Sequence, residues 1–144
     1  MSYPFALLSR ATDLRAFRIA PGDSNYFVIL FDPETPGYEP ICVIEIFEPG
    51  GRTPPNSHVS AHEFFYVLHG HGKALCDGEA LPLRQGDALL LRPGAEHIIE
   101  NLGETKLYTL TVMTPNEGFA ELIRAGLPVE LDDEDRAVLA GTIA

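Results

Sequence analysis

The chain has 144 residues, 45% of them hydrophobic, and carries 21 acidic against 10 basic side chains, for a formal net charge of −11. This length suits a single domain, residues 1–144, and no apolar run approaches the roughly 20 residues of a membrane span. The acidic balance argues against nucleic acid as a partner, because nucleic-acid binding needs clustered cations, and equally against an anionic membrane surface.

The N-terminal segment shows little pattern beyond three apolar residues, Phe5, Leu7 and Leu8. They have no obvious partner within a short barrel, so we expect them to pack against a neighbouring subunit. No basic region precedes this apolar patch, so we predict no secretory signal and a cytoplasmic location.

Short β-prone runs separated by turn residues fill the middle of the chain. The predicted strands cover residues 16–20, 26–31, 41–48, 62–69, 73–76, 88–92 and 106–113, with another beginning at residue 97. Asp77-Gly78 lies between two short β segments and predicts a tight hairpin turn there. Many short strands with turns at close spacing indicate an all-β barrel or sandwich, with its core over residues 16–113.

The two cysteines, Cys42 and Cys76, both lie in strand-like runs, and no CxxC spacing occurs. We interpret both as reduced thiols, mostly buried, as is usual in the cytoplasm. A disulfide between them stays open at this stage.

The pattern changes period after the last strand, and residues 114–144 are predicted to form a helical cover. Thr114, Pro115 and Glu117 match a capping box with an N1 proline, so we expect the first helix to begin there. Its apolar face is predicted to carry Phe119, Leu122 and Ile123, and the helix is predicted to end at Gly126. The acids at 132–135 suit the positive end of a second helix, whose Val138 and Leu139 could face the barrel.

Two stretches carry metal-ligating residue types. GGRTPPNSHVSAHEFFYVLHG, from Gly50 to Gly70, contains His58 and Glu63, and GDALLLRPGAEHIIEN, from Gly86 to Asn101, contains His97. A carboxylate and two imidazoles form a ligand set for a divalent metal when they converge. Two strand ends that meet inside one barrel would bring the three together.

These stretches resemble the two motifs of the cupin superfamily. The first motif is represented by Gly50, Asn56 where a histidine is usual, His58, Glu63 and Gly70; the second by Gly86, Arg92 where a proline is usual, Gly94, His97 and Asn101. The resemblance implies a cupin-type double-stranded β-helix, or jelly-roll barrel, with short C-terminal helices. It says less about function, because one fold hosts many chemistries.

The proposed ligands are His58, Glu63 and His97, holding one divalent transition metal: iron, manganese, nickel, zinc or copper. Asn56 is a fourth candidate: its amide oxygen would ligate weakly, hydrogen-bond a metal-bound water, or only shape the loop. The alternative is a barrel that has lost its metal and keeps these residues as hydrogen-bonded groups of a pocket.

Candidate pocket residues follow from strand alternation. Phe65 and Val67 share the face of Glu63. Arg52 could bind a substrate carboxylate from its loop, and Tyr66 could reach the pocket only if a bulge re-aims it. Three further histidines and one asparagine are interpreted as non-ligating: His62 on the opposite face, His69 and His71 at a turn, and Asn101 as support for the second-motif turn.

The leading functional interpretation is a dioxygenase-like oxidoreductase that acts on a small organic molecule, with Glu63 as both ligand and proton acceptor. One alternative is a small-ligand binding or sensing module without turnover. Another is a metal-independent isomerase or lyase that uses His58 or His97 as a general base. The substrate itself stays open.

We also predict a homodimer, because the resemblance to small cupins implies pairing. The outward face of the first-motif strand carries Phe64, Tyr66 and Leu68, a row that would be unusual if exposed on a monomer. The competing explanation is that the first C-terminal helix covers this row within one chain.

Overall fold

The structure, a computed structural model, describes residues 4–142, so the predicted domain's ends at 1–3 and 143–144 lie outside the described residues. A short 3-10 helix at Ala11–Asp13 precedes the first strand. The strands are β1 (Arg15–Arg18), β2 (Asn25–Phe31), β3 (Ile41–Phe47), β4 (His62–His69), β5 (Gly72–Cys76), β6 (Glu79–Leu83), β7 (Ala88–Leu91), β8 (His97–Asn101), β9 (Leu107–Thr114) and β10 (Leu127–Val129).

The strands form two antiparallel sheets that enclose the core. The larger sheet has the order β10-β1-β2-β3-β9-β4-β7, and the smaller one β6-β5-β8. The predicted all-β jelly-roll barrel with short C-terminal helices is confirmed. The hairpin at Asp77-Gly78 is also confirmed: both residues have positive φ, 48° and 80°, as a two-residue turn with the twist of its strands requires.

Strand β3 shows how alternation divides the core. Ile41, Val43 and Phe47 point into the barrel, whereas Ile44 and Ile46 belong to a second apolar cluster. That cluster includes residues of the C-terminal segment, so all five side chains are buried. A strand covered on both faces therefore supports the interior on one side and a helix on the other.

The first C-terminal helix does not begin where the capping box predicts, so that prediction is wrong. Strand β9 continues to Thr114, and helix α1 spans Phe119–Arg124. Glu117 has a φ of 55° and its carboxylate bonds a different loop, so it caps nothing in α1. Asn116 supplies the missing acceptor, since its Oδ1 receives the amide of Ala120 at 2.7 Å.

Helix α2, Asp133–Leu139, is confirmed at the predicted acidic segment. Asp132 and Asp135 form its capping box. Val138 and Leu139 pack on the outer cluster of the barrel, as expected. Neither α1 nor α2 has the length and hydropathy that a bilayer crossing requires, and the same holds for any helix within residues 4–142.

Strand β10 was not foreseen by the sequence analysis. It pairs with β1 at the edge of the large sheet. Pro128 has no backbone N–H, and an edge strand tolerates this because no further strand needs that hydrogen bond. Gly126 precedes it, and a Cβ atom there would lie 2.2 Å from the backbone oxygen of Arg18. Helix α1 ends at Arg124 with Ala125 as its C-cap, so the predicted end of the helix at Gly126 is confirmed, and the close approach to Arg18 explains why the residue there is a glycine.

Candidate metal centre and its cavity

The three predicted ligands converge at one end of the barrel. His58 lies on the loop before β4, Glu63 is the second residue of β4, and His97 is the first residue of β8. One donor atom from each lies within 4.8 Å of the other two. The loop is held in place because Asn56 exchanges two backbone hydrogen bonds with His97, of 3.1 and 2.8 Å.

Both imidazoles point at the same carboxylate oxygen. The Nε2 atoms of His58 and His97 each lie 3.0 Å from Oε1 of Glu63. The Glu63 and His97 side chains are almost fully buried, and that of His58 is 16% exposed. Two nitrogens and one oxygen in this arrangement are a donor set for a divalent transition metal.

The hydrogen bonding of His97 fits metal ligation. Its Nδ1 lies 2.9 Å from the backbone oxygen of Ala95, which can only accept, so Nδ1 carries a proton. In the neutral ring this leaves the Nε2 lone pair free and directed at the other ligands, the arrangement usual for ligating histidines. Without an ion, a hydrogen bond from Nε2 to the Glu63 carboxylate requires a second proton on the His97 ring, at Nε2. A metal ion would replace that proton.

The charges of the group support each other. Burial raises the pKa of the Glu63 carboxyl, but hydrogen bonds from His58 and His97 outweigh it and hold the pKa below its ordinary value. The pKa of His97 is raised, because its hydrogen bonds to Glu63 and to the Ala95 carbonyl outweigh the opposite effect of burial. Glu63 is therefore ionised at neutral pH, as a metal ligand must be.

Glu117 holds the loop that carries His58. Its carboxylate accepts the backbone amides of Val59, Ser60 and Ala61 and the hydroxyl of Ser60, at 2.6–3.1 Å. The Ser60 bonds are the main reason that its pKa falls to about 2. Its Oε2 also lies 3.9 Å from Nδ1 of His58. Sequence analysis missed this role, because partners 56–58 residues apart leave no local signal.

A cavity of about 370 Å³ opens beside the three ligands, between the loop at 53–58 and helix α1. Of the predicted pocket residues, Phe65 lines it. Val67 is buried in the core cluster behind it, whereas Arg52 and Tyr66 are exposed and do not line the cavity. Tyr66 stays on the outer face because the register of β4 is regular at that residue.

Asn56 lines the cavity, and its side-chain amide donates to the backbone oxygen of Pro54 at 3.3 Å. His62 is exposed on the opposite face of β4, and His69 packs against Tyr108. Asn101 is buried and donates to three backbone oxygens, of Phe47, Glu48 and Thr105, consistent with a supporting role.

A buried pair within the cavity was also missed. Glu45 on β3 and Asn25 on β2 both line it, with Nδ2 of Asn25 2.9 Å from Oε2 of Glu45. The only sequence signal was that Glu45 falls on the inward face of an otherwise apolar strand, a position where a charged residue needs a reason.

The three candidate ligands lie in a part of the chain that is similar to known proteins. The family model described as "Cupin domain" matches residues 43–113, which include all three candidate ligands. A structure from Thermotoga maritima, described as a predicted oxalate decarboxylase, superposes with a TM-score of 0.65 at 24% identity. That match covers 74% of this chain and 97% of the other.

Three curated proteins match over part of the chain, and two of them have descriptive names. The oxalate-binding protein of Thermotoga maritima is 35% identical over 68 residues, covering 43% of this chain and 56% of that protein. The polyketide synthase CurC of Streptomyces cyaneus is 29% identical over 72 residues, covering 50% and 47%. The chain thus spans about half the length of the curated relatives that it matches.

Proposed function

Because the chain belongs to the cupin superfamily, we propose that it binds one divalent transition metal through His58, Glu63 and His97 and acts on a small organic molecule beside it. The observation that carries this proposal is the convergence of three donor atoms at the wall of an open cavity. Two histidines and one carboxylate leave coordination positions free on an octahedral ion. Oxygenase chemistry of the dioxygenase type is the reaction that we favour.

A bound metal would supply Lewis-acid and oxygen-activating chemistry at this end of the barrel. The chain's own residues would orient and shield the reacting molecule. The Ala95 carbonyl fixes the ring of His97, and Glu117 fixes the loop of His58. Glu63 is the nearest ionised base, so it would accept a proton from the substrate.

The test is metal analysis of protein purified without an affinity tag, followed by oxygen-consumption assays with candidate substrates. We expect about one metal ion per chain and oxygen uptake with at least one substrate class. Protein that takes up no divalent metal under any loading condition would contradict the proposal. The same analysis would identify the ion among iron, manganese, nickel, zinc and copper.

A second candidate function is binding without turnover. It is favoured by the relative from Thermotoga maritima that is named for binding oxalate. Metal-loaded protein that binds a small molecule tightly but leaves it unchanged over many hours would support this candidate over the enzyme.

Replacing Asn56 with histidine is expected to raise metal affinity. Asn56 lines the cavity and is tied to His97 by backbone bonds, so an imidazole there would start close to the ligands. We expect zinc affinity to rise by about tenfold or more, as adding a good nitrogen donor should give. Competition with a chromophoric chelator measures it, with Val59→His, at an exposed position of the same loop that does not line the cavity, as the matched control. Unchanged affinity in folded Asn56→His protein would show that this side chain does not face the metal.

The cysteines fit the cytoplasmic location that we propose. Cys42 and Cys76 are both free and lie in different sheets. Burial raises the pKa of the Cys42 thiol, which keeps it protonated and unreactive.

We further propose that the protein is a homodimer. Tyr66 is 39% exposed on the outer face of β4, and Leu90, on the neighbouring strand β7, is 56% exposed. Helix α1 packs with Phe17 and Phe27 instead, so it does not cover Tyr66 or Leu90. Of the predicted row, Leu68 packs on the outer apolar cluster of its own chain. An apolar patch of this kind is typical of an interface.

Light scattering at micromolar concentration should therefore report about twice the chain mass of 15.8 kDa. The double variant Tyr66→Lys, Leu90→Lys should lower the mass to that of the monomer. Leu81→Lys on the other sheet is the control and should leave it unchanged. A monomer mass for the wild type would refute the dimer.

A further inference from the structure

The cavity contains a second buried carboxyl group that neither the metal ligands nor the packing of the barrel requires. Glu45 is 2% exposed in the middle of β3, and its partner Asn25 is 4% exposed. None of the ion pairs found in residues 4–142 involves Glu45. A buried carboxyl without a cation is costly to ionise, and because the side chain of Glu45 lines the cavity, a ligand bound there is within its reach.

The environment of Glu45 favours its neutral form. Burial, and then the charge of Glu63, raise its pKa to about 8, although hydrogen bonds from Asn25 and Thr111 act in the opposite direction. A neutral carboxyl can both donate and accept a hydrogen bond, whereas a carboxylate only accepts. A hydroxyl group satisfies Glu45 in either state, because it too both donates and accepts.

The remaining wall is acidic and apolar. Four carboxylic side chains line the cavity: Asp23, Glu45, Glu63 and Glu117. No lysine or arginine among residues 4–142 lines it. The rest is largely apolar, including Phe27, Phe65, Ile99, Met113 and Phe119. A small dianion would meet a metal as its only fixed positive charge and would face like charges around it. An apolar ring would instead bury its faces against the aromatic side chains.

The sheet register separates Glu45 from the metal ligands. Glu45 pairs with Thr109 and Glu63 with Met113, so β9 lies between the strands of the two glutamates. Two strand spacings place β3 about 10 Å from β4, and the four-residue step from Thr109 to Met113 adds about 13 Å along β9. Both glutamate side chains nevertheless line the same cavity, and the charge of Glu63 acts on Glu45, so a ligand with one ring and a short polar arm could reach both.

We propose that the cavity takes an uncharged, ring-sized molecule that ligates the metal at one end and hydrogen-bonds a hydroxyl group to Glu45, which Asn25 orients, at the other. This ligand class rests on the proposed metal site. It differs from oxalate, a charged molecule without a ring, which the relative from Thermotoga maritima is named for binding.

The test uses zinc-loaded protein and two matched probes. Kojic acid is a hydroxypyranone that is uncharged until its ring hydroxyl releases a proton to solvent on chelation, and it carries a hydroxymethyl group opposite its chelating oxygens. Allomaltol chelates in the same way and carries a methyl group there instead. By calorimetry we expect kojic acid to bind about two- to tenfold more tightly, the effect of one hydrogen bond. Oxalate should bind more weakly than both, once each affinity is divided by that for free zinc.

Variants of Glu45 test whether this residue causes the tighter binding of kojic acid. Glu45→Met should make the two hydroxypyranones bind equally, and Glu48→Met, at a partly exposed glutamate outside the cavity, should not. If Glu45→Met fails to fold because it leaves the Asn25 amide unpaired, the double variant Asn25→Leu, Glu45→Met removes both partners and should give the same result.

Zinc content before and after titration separates the two proposals. Protein that never takes up zinc overturns the metal site, and this ligand class with it. Zinc-bound protein that binds kojic acid and allomaltol equally, or prefers oxalate, overturns only the ligand class. Persistence of the kojic acid preference in both Glu45 variants would also overturn the assignment to Glu45.

Discussion

Glu63→Gln is expected to abolish metal binding while leaving the barrel folded. Oε1 of Glu63 is the point on which the Nε2 atoms of His58 and His97 converge, each at 3.0 Å. Glutamine has the same size and still offers one oxygen to a histidine, so packing should survive, but the neutral amide is a poor ligand for a transition metal. Elemental analysis of untagged protein should fall from about one ion per chain to near zero.

His97→Ala should give the same loss of metal, with a larger effect on stability. It leaves the buried carboxylate of Glu63 with His58 as its one remaining partner, and uncompensated buried charge is costly. His62→Ala is the matched control, because His62 neighbours Glu63 on β4 and is exposed on the other face. Full metal content in folded Glu63→Gln and His97→Ala proteins would contradict the assignment of these ligands.

The features that sequence could predict are those with a local signature. Alternating apolar residues and turn pairs such as Asp77-Gly78 give the strands, and two spaced motifs place His58, Glu63 and His97 on neighbouring parts of one barrel. The acidic run before Val138 gives helix α2 because a capping box lies within four residues. Each of these signals depends on neighbours in the chain, so it survives without knowledge of tertiary contacts.

The features that sequence could not predict depend on distant partners. Glu117 matches a capping box, but three loop amides more than 50 residues away compete for its carboxylate and win. Strand β10 is three residues long, and only its pairing with β1 makes it a strand. Glu45 has a cavity role because β2 brings Asn25 beside it, which no spacing within β3 reveals.

A second polar cluster lies outside the barrel and joins helix α2 to it. The Asp135 carboxylate is buried and accepts the hydroxyls of Tyr26, at 2.7 Å, and Tyr108, at 2.6 Å, together with Lys106 Nζ at 3.1 Å. Burial is the main reason that the pKa values of both tyrosines are raised, and Asp135 adds to it, so both hydroxyls stay protonated and donate. The cluster therefore couples the C-terminal helix to strands β2 and β9, which also bear on the cavity wall.

Asp135→Ala is expected to lower the free energy of unfolding by about 3–5 kcal/mol, because it leaves the two buried tyrosine hydroxyls without their acceptor and Lys106 with only the exposed carboxylate of Asp132. Urea denaturation measures the loss, and Asp135→Asn, which keeps the size and one acceptor oxygen, should lose less. Asp133→Ala is the matched control: its side chain is fully exposed in the same helical turn, so its effect should stay within about 0.5 kcal/mol. Tyr108→Phe should cost less in the Asp135→Ala background than alone, since the bond it removes is already gone. Equal losses for Asp133→Ala and Asp135→Ala would mean that the buried carboxylate does not hold α2 in place.

Because the cluster lies outside the cavity, folded Asp135→Asn protein should still bind about one metal ion per chain, which separates what holds the helix from what holds the metal.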